Sequence, residues 1–114
     1  MIKLALKKSF GNWVEMGDGV SFKLDYPSIE QEESLQDILF NSGVDSQVRT
    51  LKYSRAYIKY TVKDWKGLPI ECKLKNNELD NELVWALAGD PLQCGKIYSI
   101  ISKELEVDET DKKK

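Results

Sequence analysis

WVEMGDGVSFKLDY, Trp13 to Tyr26, decides the fold. Val20, Phe22, Leu24 and Tyr26 alternate with Ser21, Lys23 and Asp25, the period of two that gives a strand one buried face. Residues 13–16 precede this run as a partner strand. Between them, Gly17-Asp18-Gly19 supplies the residue types that adopt positive φ in a tight hairpin turn. The stretch therefore reads as a β-hairpin with Asp18-Gly19 at its tip. Gly17-Asp18-Gly19 does not read as a phosphate loop, because such a loop opens a helix and here a strand follows.

Downstream, Pro27-Ser28 ends the strand and starts a helix. Ser28 and Gln31 have the spacing of a capping box, and Glu30, Glu32 and Glu33 fall in the first turn, where the helix dipole favours carboxylates. Leu35, Ile38 and Leu39 supply its apolar face, and Gly43 lies a little past its expected end, where a residue with positive φ is often wanted. Upstream, Ile2, Leu4 and Leu6 alternate with Lys3, Ala5 and Lys7 and suggest a further short strand.

Residues 47–65 admit two readings. Arg55 to Val62 is rich in β-formers. A helix is preferred, because at about 100° per residue three residue types sort onto three faces. Leu51, Ile58, Val62 and Trp65 share one stripe. Lys52, Arg55, Lys59, Lys63 and Lys66 share a second, and Tyr53, Tyr57 and Tyr60 a third, nearly opposite the first. Gly67 stops this element. Residues 68–74 read as extended, and Asn76-Asn77 as a turn. Leu79, Leu83, Ala86 and Leu87 mark a short helix, and Gly89 ends it. Asp90-Pro91-Leu92-Gln93 opens a last helix with a capping box, Pro91 taking the first helical position. Ile97, Ile101 and Leu105 line its buried face. Trp13, Trp65 and Trp85 read as core anchors.

The expected fold class is α+β, a hairpin or small antiparallel sheet packed on three to four helices. Residues 1–107 form one globular domain, and 108–114, highly charged and without periodicity, form a disordered tail. The 114 residues carry a formal net charge of −2, so no overall pull toward DNA or membrane is expected. No stretch approaches a membrane span, no signal peptide is evident, and a cytoplasmic location is expected.

The chemistry is sparse. With no histidine, Cys-His and Ser-His catalysis is excluded. Cys72 and Cys94 form no C-x-x-C pair and read as buried free thiols. Glu30, Glu32, Glu33 and Asp37 lack the patterned loop that a hard cation wants and read as a solvated helix start. No cofactor or metal is expected, and no catalytic residue is assigned. The candidate partner-binding residues are the tyrosines Tyr53, Tyr57 and Tyr60 and the cations Lys52, Arg55, Lys59, Lys63 and Lys66. Tyrosine suits interfaces, having an apolar body and a polar tip. The cationic row reads as a solvated face, as a grip for a phosphate backbone, or as a surface for an acidic partner, including a second copy's acidic helix.

The order of these features resembles a known family. A Trp-led hairpin with Asp-Gly is followed by Tyr26-Pro27-Ser28 into a Glu-rich helix. Then come Val62-Lys63-Asp64-Trp65-Lys66-Gly67-Leu68, an Asn-led helix after Asn77, and a C-terminal helix after Asp90-Pro91. This resembles the small tail assembly chaperones and related morphogenesis proteins of long-tailed bacteriophages, in which a mid-chain Trp-x-Gly and a charged C-terminus recur. Trp65-Lys66-Gly67 and Asp111 to Lys114 match them, whereas Leu68-Pro69-Ile70-Glu71-Cys72 departs from the acidic, Gly-containing turn that often follows in the family. The resemblance implies a non-enzymatic protein that binds tape measure and tail-tube proteins in the host cytoplasm. A homo-oligomer is compatible with that role. The alternatives are a virion connector or tail-completion protein, and a small nucleic-acid-binding protein using the basic row, with nucleic acid the less expected partner.

Overall fold

The computed structural model describes residues 11–41 and 43–113, with side chains described through Glu106 in the last helix. The strand expected over residues 2–7 lies outside the described residues. The fold is α+β: a three-stranded antiparallel sheet, a two-residue-per-strand hairpin, and four helices among the described residues.

β1 (Trp13–Gly17) and β2 (Val20–Leu24) form the expected hairpin, with Val14 opposite Phe22 and Gly17 opposite Val20. Asp18 (φ 53°) and Gly19 (φ 78°) make the left-handed turn, and a bulge falls between Glu15 and Gly17. The capping box is complete at α1 (Ile29–Leu39). The Gln31 amide N–H donates to Ser28 Oγ (3.2 Å), and the Ser28 N–H donates to Gln31 Oε1 (2.9 Å). The helix ends a little before Gly43, as expected, on the C-cap Phe40, whose N–H bonds the Gln36 and Ile38 carbonyls, but Gly43 does not carry positive φ.

α2 (Ser46–Thr61) is a helix, as preferred, but it stops four residues short of Trp65. Val62 leaves the helix at φ −81°, ψ 120°, and β3 (Val62–Lys66) pairs with the free edge of β2. Leu24 lies opposite Val62 and Phe22 opposite Trp65, with Lys63 bulged between the two registers. That bulge places Val62 and Trp65, three residues apart, in the core together. A buried pair at this spacing also satisfies a helical period, so periodicity extends the helix too far. Pairing with a waiting sheet edge overrides it.

The Phe22 and Trp65 rings meet at 6.1 Å, and the Trp65 indole N–H donates to the Ile70 carbonyl at 2.6 Å. Gly67 follows at φ +87°, so close to the hairpin turn that a Cβ would collide with the Gly19 carbonyl oxygen. The Trp65-Lys66-Gly67 motif thus locks β3 against the hairpin tip.

β4 (Leu74–Lys75) and β5 (Glu78–Leu79) are joined by Asn76-Asn77, both at positive φ, as the turn reading expects. α3 (Asn81–Ala88) begins on Asp80, whose side chain accepts from the Glu82 N–H, and buries Leu83, Val84, Leu87 and Ala88. Ala86, expected on that face, is exposed. In α4 (Pro91–Lys113), Asp90 Oδ2 caps the Gln93 N–H at 3.1 Å, while the Gln93 side chain donates to the Leu87 carbonyl at 2.7 Å. Its helical backbone runs through most of the stretch 108–114, where the sequence reading expects a tail.

The core joins Phe22 and Leu24 of the sheet to Ile58, Val62, Leu79, Leu83, Leu87, Ile97, Ile101 and Leu105. α2 lies at its centre, touching α1, α3 and α4. Of the three tryptophans only Trp65 is buried; Trp13 and Trp85 are 40% and 59% exposed.

Candidate protein-docking site

The cationic row does not form one helix face. Lys63 and Lys66 stand on β3, because the helix has already ended. Four of the five cations are held by the protein itself. Arg55 Nε and Nη2 each donate at 2.9 Å, to the Ala88 and Gly89 carbonyls, closing the C-terminus of α3 where the helix leaves carbonyls unpaired. Its guanidinium also lies 4.1 Å from the centre of the Trp85 ring. Lys59 pairs with Glu78 at 3.2 Å. Lys63 Nζ donates to the Asn77 carbonyl at 2.8 Å, and burial pushes its pKa below the ordinary lysine value, opposed by Asp25 and Glu78. Lys66 sits 4.2 Å from the centre of the Trp13 ring. Lys52 is exposed.

These bonds tie α2 and β3 to α3, to the small hairpin and to β1. A guanidinium holding two carbonyls and an indole is not available to follow a phosphate backbone.

The tyrosines divide. Tyr53 and Tyr57 stack at 6.1 Å, and Tyr98 of α4 meets both edge-on, at 6.0 and 5.2 Å. Burial raises the pKa of the Tyr98 phenol, with Tyr53 and Glu106 adding to the shift. Tyr60 is half-buried and belongs neither to this cluster nor to the cleft beside it, among the described residues.

That cleft is the feature the sequence reading missed. It opens between α1, α2 and α4, has a volume of about 320 Å³, and is walled by Tyr26, Tyr53 and Tyr57. Leu35, Leu39 and Leu105 line its apolar part, and Glu32 and Glu106 stand in its wall. Capping sets the rotation of α1: Gln31 and Leu35 turn into the protein, Glu32 into the cleft wall, and Glu30, Glu33 and Asp37 into solvent. Phe40, at the end of the same helix, is 80% exposed, and Leu39 is 44% exposed. The signal in the sequence was present in two halves, a tyrosine stripe and an acidic helix, with nothing local to say that they face each other.

A second groove, of about 760 Å³, runs between the hairpin and the start of α4, with Met16, Val20, Leu68 and Ile100 among its walls. Both thiols are free. Burial and the nearby Asp64 push the Cys72 thiol up to about 11, and burial raises that of Cys94, opposed by Arg55. Thiols held protonated are poor nucleophiles. Among the described residues no three Cys, Asp or Glu side chains converge on a common point, and no helix is long and apolar enough to cross a membrane.

Compared with protein-family models, curated proteins and solved structures, the chain matches none of them.

Proposed function

We propose that this protein works by docking other proteins and not by turning over a substrate. In this reading it is a morphogenesis factor of the tail assembly chaperone kind that its sequence resembles, with tape measure and tail-tube proteins as partners in the cytoplasm of the cell that makes it. The observation that carries the reading is the tyrosine-walled cleft beside an acidic helix that holds Leu39 and Phe40 toward solvent. Tyrosines walling a half-polar cleft, with exposed hydrophobic residues adjoining, suit a protein interface. The raised thiols speak only against a cysteine nucleophile.

The test is co-expression with a tape measure protein, read as the fraction of that protein recovered soluble. The reading expects a severalfold increase that a Tyr53→Ala/Tyr57→Ala variant loses, and no copy of the chain in finished particles. An unchanged soluble fraction contradicts it. Stable incorporation into particles replaces it with a connector or completion role.

A further inference from the structure

We propose that this chain associates with a second copy of itself, the outer face of α1 in one copy lying antiparallel on the outer face of α4 in the other, so that Glu30, Glu33 and Asp37 meet Lys96 and Lys103. The contact goes beyond the docking reading above and makes no use of the tyrosine cleft.

Two helix faces on the same molecule carry opposite charge. α1 turns Gln31 and Leu35 inward, which leaves Ile29, Glu30, Glu33, Asp37 and Phe40 exposed along its other side. α4 turns Cys94, Ile97, Ile101 and Leu105 inward, which leaves Leu92, Lys96, Ser99 and Lys103 exposed opposite them. Among the described residues, none of these five charged side chains takes part in a hydrogen bond or an ion pair. α1 has no lysine or arginine of its own. Glu30 and Glu33, and Glu33 and Asp37, stand one turn apart, where like charges repel. Arg49 lines a hollow with Asp37 and Lys52 but donates to the Asn41 carbonyl. A row of carboxylates that repel one another gains most from cations brought by another molecule.

The spacing of the two rows agrees. Glu30 to Asp37 and Lys96 to Lys103 each span seven positions, about 10.5 Å along a helix. Set antiparallel, Glu30 lies opposite Lys103, Asp37 opposite Lys96, and Glu33 between the two lysines. The same register carries Phe40 to the Leu92 end of α4. There the groove of about 760 Å³ opens between the hairpin and α4, with Met16, Val20, Leu68 and Ile100 among its walls. Phe40 and Leu92 are 80% and 78% exposed in the single chain, and an aromatic anchor beside an apolar groove is where binding energy concentrates. A parallel arrangement sets Phe40 beside Glu106 and forfeits that contact. Asp18 lines the groove as well, without an ion pair to Lys96.

The experiment is sedimentation velocity of the full chain over a range of protein concentrations, at low and at high salt. The parent is expected to self-associate, and to do so about tenfold more weakly once salt screens the contact. Glu33→Lys/Asp37→Lys and Lys96→Glu/Lys103→Glu, both confined to exposed positions, are each expected to sediment as monomers with urea melts close to the parent's. Mixed in equal amounts they are expected to associate again, because each reversed face then meets its reversed counterpart. Phe40→Ser is expected to weaken association severalfold. Phe40 also adjoins the cleft, so the charge variants, which leave Tyr53 and Tyr57 in place, separate this contact from the docking reading. A parent that stays monomeric at every concentration overturns the proposal. So does association that survives either charge reversal, or variants that remain monomeric when mixed. Tyr53→Ala/Tyr57→Ala is expected to self-associate like the parent; loss of association there moves the interface to the cleft and overturns the pairing of α1 with α4.

Discussion

The two flanks of α2 have opposite fates. On the flank toward α3 and the β4–β5 hairpin, cations reach inward: Arg55 closes α3, Lys59 pairs with Glu78, and Lys63, just past the helix, bonds Asn77. On the flank toward α1 and α4, Tyr53 and Tyr57 help wall a cleft beside the acidic helix α1. Each flank looks functional in the sequence, and the cationic one is tied into the fold by its described hydrogen bonds and ion pair. Long cationic side chains are well suited to bridging between elements, since their stems cover apolar surface and their heads reach distant carbonyls. A basic row is therefore a weak sign of a partner until its hydrogen bonds are accounted for.

That contrast can be broken most severely at the seam that creates it. Phe22 is 2% exposed and packs on Trp65, across the pairing that turns the chain from α2 into β3. Phe22→Ala is expected to cost about 4 kcal/mol in denaturant unfolding, and to free Lys63 and Lys66 from their present partners. Gly67→Ala comes next, at about 3 kcal/mol, from positive φ together with the clash against the Gly19 carbonyl. A Gly67→Ala variant as stable as the parent contradicts the locked tip.

Arg55→Ala sharpens the comparison directly. It leaves the Ala88 and Gly89 carbonyls without their guanidinium and uncovers Trp85, and is expected to cost about 2 kcal/mol. A docking role without a structural one predicts the reverse, lost binding at unchanged stability. Smallest are the surface charges. Lys59→Ala is expected to cost about 1 kcal/mol, as a half-buried ion pair near the surface does. Glu33→Gln in the exposed first turns of α1 is expected to move stability by less than about 0.5 kcal/mol. Urea melts of these variants beside one binding titration separate the two flanks.

What was legible in the sequence follows a physical divide. The hairpin, the Ser28–Gln31 capping box, the Asn76-Asn77 turn and the Asp90 cap are encoded by residues within a few positions of one another, and each is present. The end of α2 was not legible, because it depends on β2 offering an edge some forty positions upstream, and because the bulge at Lys63 lets a strand imitate a helical spacing. The cations were misread for a related reason: a side chain's partner is set by tertiary contact. Of the site, Tyr53 and Tyr57 could be named from spacing, but Tyr26, Glu32 and Glu106 join them only once α1 and α4 are packed on α2.

Co-expression with a tape measure protein tests the central claim most directly. The soluble fraction of that protein is predicted to rise severalfold and to fall back in a Tyr53→Ala/Tyr57→Ala variant whose urea melt matches the parent's. An unchanged soluble fraction contradicts the account.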